Sequence, residues 1–433
     1  MDVYLKENGI FGFLITQIVF KSFAGAGFLR LRTKNFNIKL IKIHDLVELQ
    51  PFEGATNRTS FFVAKKDSPS KFPIEYVVWR KKKGSIEQED SLEDIKNKTT
   101  QIKMFAEPIE GYSTQKEMIS PLATLPNKEE LEKLKGLIAE SYYKAHTGVS
   151  FKPKGVFLVR ILKCLNNDVI IQNIEKAQKI KVSVKENKIE KQLLHPIIKG
   201  KDIDKYYVCY DVYGICPYEF EPKFKILDES KLKIKYPFTF QYLNNLKEVI
   251  SKRWEQKLVT KSGKYPFYFL FRFNEDVTKK YKVVWQDIAD RIYAAVSTPV
   301  SDSYLGQTIP VPDDTVDYIT VENLDEAHYI CAILNSSIVN FIIQSYHHLH
   351  FRPQVLQRLN IKKFNLKNNV HKMLSELSKK AHELAKKCHE TNNPKFQKEL
   401  EKIEEEIDKN VAKLYEISDK ELEEIKITLK IVK

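Results

Sequence analysis

The chain has 433 residues, 42% of them hydrophobic, which is enough for a sizeable core spread over two or three domains and excludes a disordered or low-complexity protein. Its 71 Lys and Arg against 57 Asp and Glu give a net charge of +14 and a pI near 9.1. That field attracts polyanions and puts nucleic acid first among partners, with a merely solvated lysine surface as the alternative. Five scattered cysteines (Cys164, Cys209, Cys216, Cys331, Cys388) form no C-x-x-C pair, which argues against a zinc or dithiol site and for a reducing, cytoplasmic setting. The apolar run Ile10 to Phe20 is too short to span a bilayer and lacks a basic leader, so no membrane or export signal is read.

In chain order, apolar alternation predicts strands at Ile10–Ile15, Ile38–Ile43, Thr59–Ala64 and Ile74–Val78, with a helix around Gly27–Asn35: an α/β layer ending between Pro108 and Leu125. The charged stretch after Trp79 reads as a loop and a polar helix. A connector helix is expected over Asn127–Tyr143, with Asn127 as its N-cap and Leu131, Leu134, Leu137 and Ile138 as its apolar face. Beyond His146 the runs VFLVRIL, DVIIQNI, YYVCYDVY, YPFYFLFRF, YKVVW and RIYAAVST predict a mainly β or mixed domain to about Phe364. Two apolar stripes then follow, Val370, Met373, Leu374, Leu377, Ala381 and Leu384, and Phe396, Leu400, Ile403, Ile407, Val411 and Leu414, separated by HETNNPKF. They predict an antiparallel helical hairpin, with a coiled coil to a partner as the alternative. The domain reading is therefore 1–125, 126–150, 151–365 and 366–433.

Residues Phe23, Gly25 and Gly27 spell F-x-G-x-G, the opening of many S-adenosylmethionine loops, and Asp45 lies at a distance suited to a ribose-binding acid. Against this, Lys21 stands where such loops carry an acid. Methylation of an exocyclic amine further needs an Asn/Asp-Pro-Pro-aromatic motif to hold the flipped base, and no Pro-Pro occurs in the chain; the nearest text, Asn393-Pro394-Lys395-Phe396, falls in the hairpin turn. The glycines therefore read as a turn. A complete but divergent methyltransferase using Phe23 to Gly27 is the rival reading.

As a block, YLKENGIFGFLITQIVF, FLRLRTKNFNIKLIKIHDL and PFEGATNRTSFFVAKK resemble the back half of an N6-adenine DNA methyltransferase domain. IEKQLLHPIIKGKDIDKYY, HYICAILNSSIVNFII and LQRLNIKKF are similar to segments of the TaqI-like specificity domain that follows it in type IIG restriction-modification enzymes, with Asn360 where that family has proline. DKNVAKLYEISDKELEEI resembles the closing helices. The resemblance implies an α/β partial methyltransferase layer, a mixed α+β target-recognition domain and a C-terminal helical hairpin. It implies a DNA-binding recognition subunit or fragment that binds no cofactor by itself and has no catalytic residue of its own. S-adenosylmethionine would then be bound by the complete enzyme, with double-stranded DNA and a separate N-terminal methyltransferase polypeptide as partners. A type I-like specificity subunit is a further alternative.

A recognition half needs cations for phosphates and a few side chains for base edges. Lys199, Gly200, Lys201 and Lys205 offer a tight turn with lysines toward phosphate, or else a surface turn capped by Asp202. In KYKVVWQDIADR, Lys282 is a DNA-binding candidate, and Gln286 and Arg291 are candidates for adenine and guanine, or else structural residues. His347, His348, His350 and Arg352 read as a donor-rich loop beside DNA rather than a metal site, since no Cys or carboxylate stands at ligand spacing. Thr56, Asn57 and Arg58 match the family's "Ala-Thr-Asn-x-Thr" loop and are expected beside a partner's active-site pocket.

Overall fold

The first sheet has six strands, β1 (Ile10–Thr16), β2 (Asn37–Asp45), β3 (Thr59–Asp67), β4 (Ile74–Lys81), β5 (Thr99–Pro108) and β6 (Leu122–Leu125), with burial alternating along β2 and β3. The computed structural model describes the chain except residues 1–3, 23–24, 30–35, 53–57, 83, 88, 109–120, 127–128, 130–136, 175–181, 183–184, 258–262, 347–350, 352, 357–358 and 433. The strand order is β1-β3-β2-β4-β5-β6, with β2 and β4 parallel and every other neighbour antiparallel. A register shift between Leu40 and Lys42 changes which residues of β2 face inward. Ile38 and Leu40 are buried before it and Ile43 and Asp45 after it, while Ile41 is left outside. Phe62 is the hub of this core, with Phe11 and Phe20 meeting its ring edge-on at 5.8 and 6.1 Å. Its full burial is worth about 2–3 kcal/mol.

The charged stretch after Trp79 does contain a polar helix, Leu92–Lys98, started by a capping box between Ser91 and Asp94. It feeds a strand, β5, that the sequence reading did not expect. Of the connector helix, residues 127–128 and 130–136 lie outside the described residues; Leu137 is helical, but Ile138 already forms a bridge to Leu359 and the chain is irregular to Lys144.

The middle of the chain makes a second six-stranded sheet in the order Glu186–Glu190, Asp168–Asn173, Leu158–Leu165, Val212–Ile215, Leu194–Ile198 and Val311–Pro312. Only its last pair is parallel. A four-stranded antiparallel sheet follows in the order Ala294–Ser297, Tyr281–Gln286, Val316–Val321 and Ala145–Thr147. Tyr281–Gln286 is sandwiched between two cores: Val283 and Trp285 pack with the helices, Val284 with the second sheet. Such a strand loses its in-out alternation. YPFYFLFRF, read as a strand, is instead a loop with one bridge, Ser150 to Phe271. The Arg253 guanidinium takes up the carbonyls of Phe267 and Phe269 that a sheet neighbour would have used.

The Leu324–Asn335 helix, capped by Asn323, is buried from Ala327 to Asn335, and Ser337–Tyr346 continues from it after a break. The terminal hairpin forms from Asn369–Thr391 and Pro394–Leu414, with left-handed Asn392 (φ 53°) ending the first helix and Asn393 capping the second. Its first stripe is the expected one with Ala385 added, Leu374, Leu377, Ala381 and Ala385 being buried and Val370 and Leu384 packed against them, except that Met373 faces solvent. A third helix, Asp419–Val432, turns the hairpin into a three-helix unit. Among the described residues no single helix is long and apolar enough to cross a membrane; the bent pair Leu324–Asn335 and Ser337–Ser345 passes on composition alone and is core.

Candidate nucleic-acid interface

Around Gly200 the chain tightens into a 3-10 turn, Gly200–Asp202, because the Asp202 carboxylate accepts the Lys199 amide (3.1 Å) and the Gly200 amide donates to Thr315 Oγ1 (2.8 Å). A Cβ at Gly200 would lie 3.0 Å from the Thr315 carbonyl oxygen, so the glycine is set by close approach. The turn holds Lys199 and Lys201 on one rim of a cleft of about 430 Å³, whose other walls are Lys154, Gln286, Asp287, Ile288, Asp313 and Thr315. Four of the residues singled out in the sequence, Lys199, Gly200, Lys201 and Gln286, thus meet in one place. Both lysines pair with Asp211, Lys201 at 2.9 Å, and Lys201 also reaches Asp202 at 2.7 Å. These carboxylates raise the Lys201 pKa above its ordinary value. Gln286 donates its side-chain amide to the Ile203 carbonyl (2.6 Å), so one end of that side chain serves the fold.

One reading needs correction. Lys282 is 0% exposed, its ammonium donating to the carbonyls of Lys279 (2.6 Å) and Pro310 (3.4 Å). Burial pushes its pKa down to about 7. The same double-sided burial that removes alternation from Tyr281–Gln286 removes Lys282 from any phosphate. Lys205 and Arg291 do not share the Lys199 cleft. They line a separate cleft of about 740 Å³ against the hairpin, together with Glu401, Glu404, Glu405, Asp408, Glu423 and Lys426. Lys205 pairs there with Glu404 (2.8 Å), while Arg291 lies beside Asp290 (3.5 Å) and over the Tyr293 ring (6.0 Å).

At the end of the first sheet where parallel β2 and β4 finish, a buried polar knot forms. Asp45 accepts from the Gln17 side chain and from the Tyr76 hydroxyl (2.6 Å) at one oxygen, and from the Val47 amide (3.0 Å) at the other. Lys21 is also buried and donates to Thr124 Oγ1 (2.7 Å) and the Ser345 carbonyl (2.9 Å), tying this sheet to the Ser337–Tyr346 helix. Burial pushes the Lys21 pKa down to about 7, partly offset by Asp45. Arg58 lies half-buried beside the knot, its pKa lowered by burial and raised in part by Asp45. Thr56, Asn57, His347, His348, His350 and Arg352 lie outside the described residues.

The polar knot engages Asp45 internally, and Gly25 has a packing reason: a Cβ there would fall 1.9 Å from the Val19 carbonyl oxygen. Among the described residues no group of three or more His, Cys, Asp or Glu could hold a metal ion.

The outer edge of β1 has no neighbouring strand among the described residues, and Ile10, Phe13 and Leu14 on it are exposed. The strand, IFGFLIT, carries no charge or proline to guard this edge.

The sequence matches no protein-family model and no curated protein. The fold is similar to that of the type IIL restriction-modification enzyme MmeI, whose structure is in complex with DNA. The TM-score is 0.52 at 10% identity, covering 98% of this chain and 49% of that one, so the chain spans about half the length of that enzyme. The type IIG restriction endonuclease BpuSI aligns over 86% of this chain and 42% of its own, at 13% identity and a TM-score of 0.30, too low to indicate a shared fold. What is common to this chain and MmeI is the mixed α/β architecture.

Proposed function

We propose that this chain is the DNA-binding, target-recognition part of an N6-adenine DNA methyltransferase of a restriction-modification system. The observation that carries the reading is the likeness of 98% of the chain to about half of a restriction-modification enzyme held on DNA. The net charge of +14 supports it. In this reading the second and third sheets form the TaqI-like recognition domain and dock on duplex DNA. Lys199 and Lys201 exchange Asp211 for phosphate at the Gly200 turn, and the free end of Gln286 faces the groove. Thr56, Asn57 and Arg58 belong beside the partner's active-site pocket, and His347, His348, His350 and Arg352 on the DNA. The unguarded edge of β1 supports continuation of the first sheet by a catalytic half, which supplies the S-adenosylmethionine loop and the Asn-Pro-Pro-aromatic motif, and a strand laid along Ile10–Thr16 would cover its apolar residues. Recognition then consists of fixing which adenine is turned out of the duplex, with no bond made or broken by this chain.

Duplex binding by the full chain tests the proposal. Affinity is expected to fall steeply with salt, about 0.9 in log K per log salt for each phosphate neutralised. S-adenosylmethionine is expected to give no binding signal with the chain alone. Salt-independent DNA binding, or none, refutes the reading, and tight cofactor binding by the isolated chain favours the complete-enzyme alternative.

A further inference from the structure

Residues 247–272 carry seven Lys or Arg against two Glu, with aromatics between them. Two of the charged residues are turned inward. Arg253 is buried and donates to the carbonyls of Lys152 (3.0 Å), Phe267 (2.8 Å) and Phe269 (2.6 Å), and buried Glu255 accepts from Ser150 Oγ (3.0 Å). Trp254, fixed between these two anchors, is turned outward and is 55% exposed. Its ring meets Phe271 edge-on at 5.7 Å, and the Arg272 guanidinium lies over the same Phe271 ring at 5.4 Å. Arg272 is itself exposed and held at a left-handed φ of 65°, a conformation that costs backbone energy outside glycine. Lys252 and Lys257, on either side of Trp254, are exposed, and Tyr265 is 44% exposed and stacked on Phe269 at 4.3 Å.

A protein-binding hot spot places its aromatic anchor where lysine is depleted, whereas here the exposed indole stands among lysines and an arginine. Cations interleaved with an outward aromatic are what a nucleic acid with an accessible base face requires. We infer that Trp254 stacks on a DNA base that has left the duplex stack, while Lys252, Lys257 and Arg272 hold the flanking phosphates. The inference rests on the DNA-binding reading and adds to it a place where unstacked DNA is held.

The three tryptophans make the test selective: Trp285 is 0% and Trp79 9% exposed, so Trp254 is the one open to a stacked base. The full chain is titrated with an intact duplex and with the same duplex carrying one unpaired base, with binding read by anisotropy of a labelled strand and stacking by tryptophan fluorescence. The unpaired-base duplex is expected to bind more tightly and to quench the fluorescence. Trp254→Phe is expected to remove the quench, and Trp254→Ala to weaken binding of that duplex about tenfold or more. Lys252→Gln with Lys257→Gln is expected to lower the salt slope by about 2, at about 0.9 per phosphate contact. Binding without a change in fluorescence, or a quench that survives in Trp254→Phe, overturns the inference and leaves the DNA-binding reading standing. No binding of either duplex at low salt overturns both.

Discussion

Replacing Lys282 with methionine separates the buried position of this lysine from the phosphate contact that its place in KYKVVWQ invites. Its pKa falls from the ordinary lysine value of 10.5 to about 7, burial being the cause. Between those values the unfolded chain binds a proton that the folded chain has released, so wild-type stability rises with pH across the window from 7 to 10.5. At about 1.4 kcal/mol per pH unit, the cost of keeping this lysine is on the order of 4 kcal/mol at pH 7 and on the order of 1 kcal/mol at pH 9.5. Methionine removes that cost but leaves the carbonyls of Lys279 and Pro310 without their donor, a loss of about 1–3 kcal/mol. Lys282→Met should therefore be the more stable protein at pH 7 and lose about 3 kcal/mol of that advantage by pH 9.5. Urea unfolding at both pH values, followed by fluorescence of Trp285 on the same strand, measures the difference, and the other titrating groups cancel between the two proteins. Parallel pH–stability curves refute the burial argument. DNA affinity should stay within about twofold; a salt slope lower by about 0.9 in the variant would restore the phosphate contact and overturn the correction.

Acid should loosen the hairpin. The neutral His382 ring accepts the Val296 amide at Nε2 (2.9 Å) and contacts the Ser378 carbonyl through Nδ1 (2.7 Å), and burial pushes its pKa down to about 4. A depressed histidine pKa costs stability as pH falls from 6.5 to 4, so exchange of the Val296 amide hydrogen should quicken over that range beyond the intrinsic rate, and unchanged protection at pH 4.5 would refute it. Gly25→Ala should destabilise the first sheet by more than about 2 kcal/mol, because its Cβ would meet backbone at Val19 and not a yielding side chain; a neutral thermal shift would refute the packing account. Glu404→Gln should leave DNA affinity unchanged, since its partner Lys205 faces the hairpin. A tighter DNA complex in that variant would show that Lys205 is available to phosphate after all.

Legibility followed the number of faces an element exposes. Strands β2 and β3 showed in the sequence because period-two alternation survives wherever one face meets solvent or a thin layer, and the hairpin showed because its two helices keep a narrow apolar stripe. β5 was hidden by its own composition: TTQIKMFAEP has inward Met104 and Ala106 but polar residues through most of its outer face, continuous with the polar helix before it. YPFYFLFRF carried strand composition and became a loop because one distant residue, Arg253, took its carbonyls, and no local pattern encodes a partner 14 residues away. The Lys199–Gly200–Lys201 turn was readable from its glycine. Its convergence with Gln286 depends on Thr315, which sequence spacing does not reveal.

Charge misled most where it was counted without burial. Arg253 and Lys282 raise the basic total yet are folded inward to serve carbonyls, and Lys205 is matched to an acidic helix. What remains outward in residues 247–272 is different in kind: the inward turn of Arg253 and Glu255 is the reason Trp254 must face out. A buried arginine that contacts no ligand can thus decide where a ligand binds. Removing it should cost the fluorescence response of Trp254 to DNA together with the order of the loop, whereas removing the exposed Lys252 should cost affinity alone. Arg253→Met and Lys252→Gln therefore form a pair: equal loss of the Trp254 quench in both would mean that the loop is not held by Arg253, and the account of how this surface is built would fail.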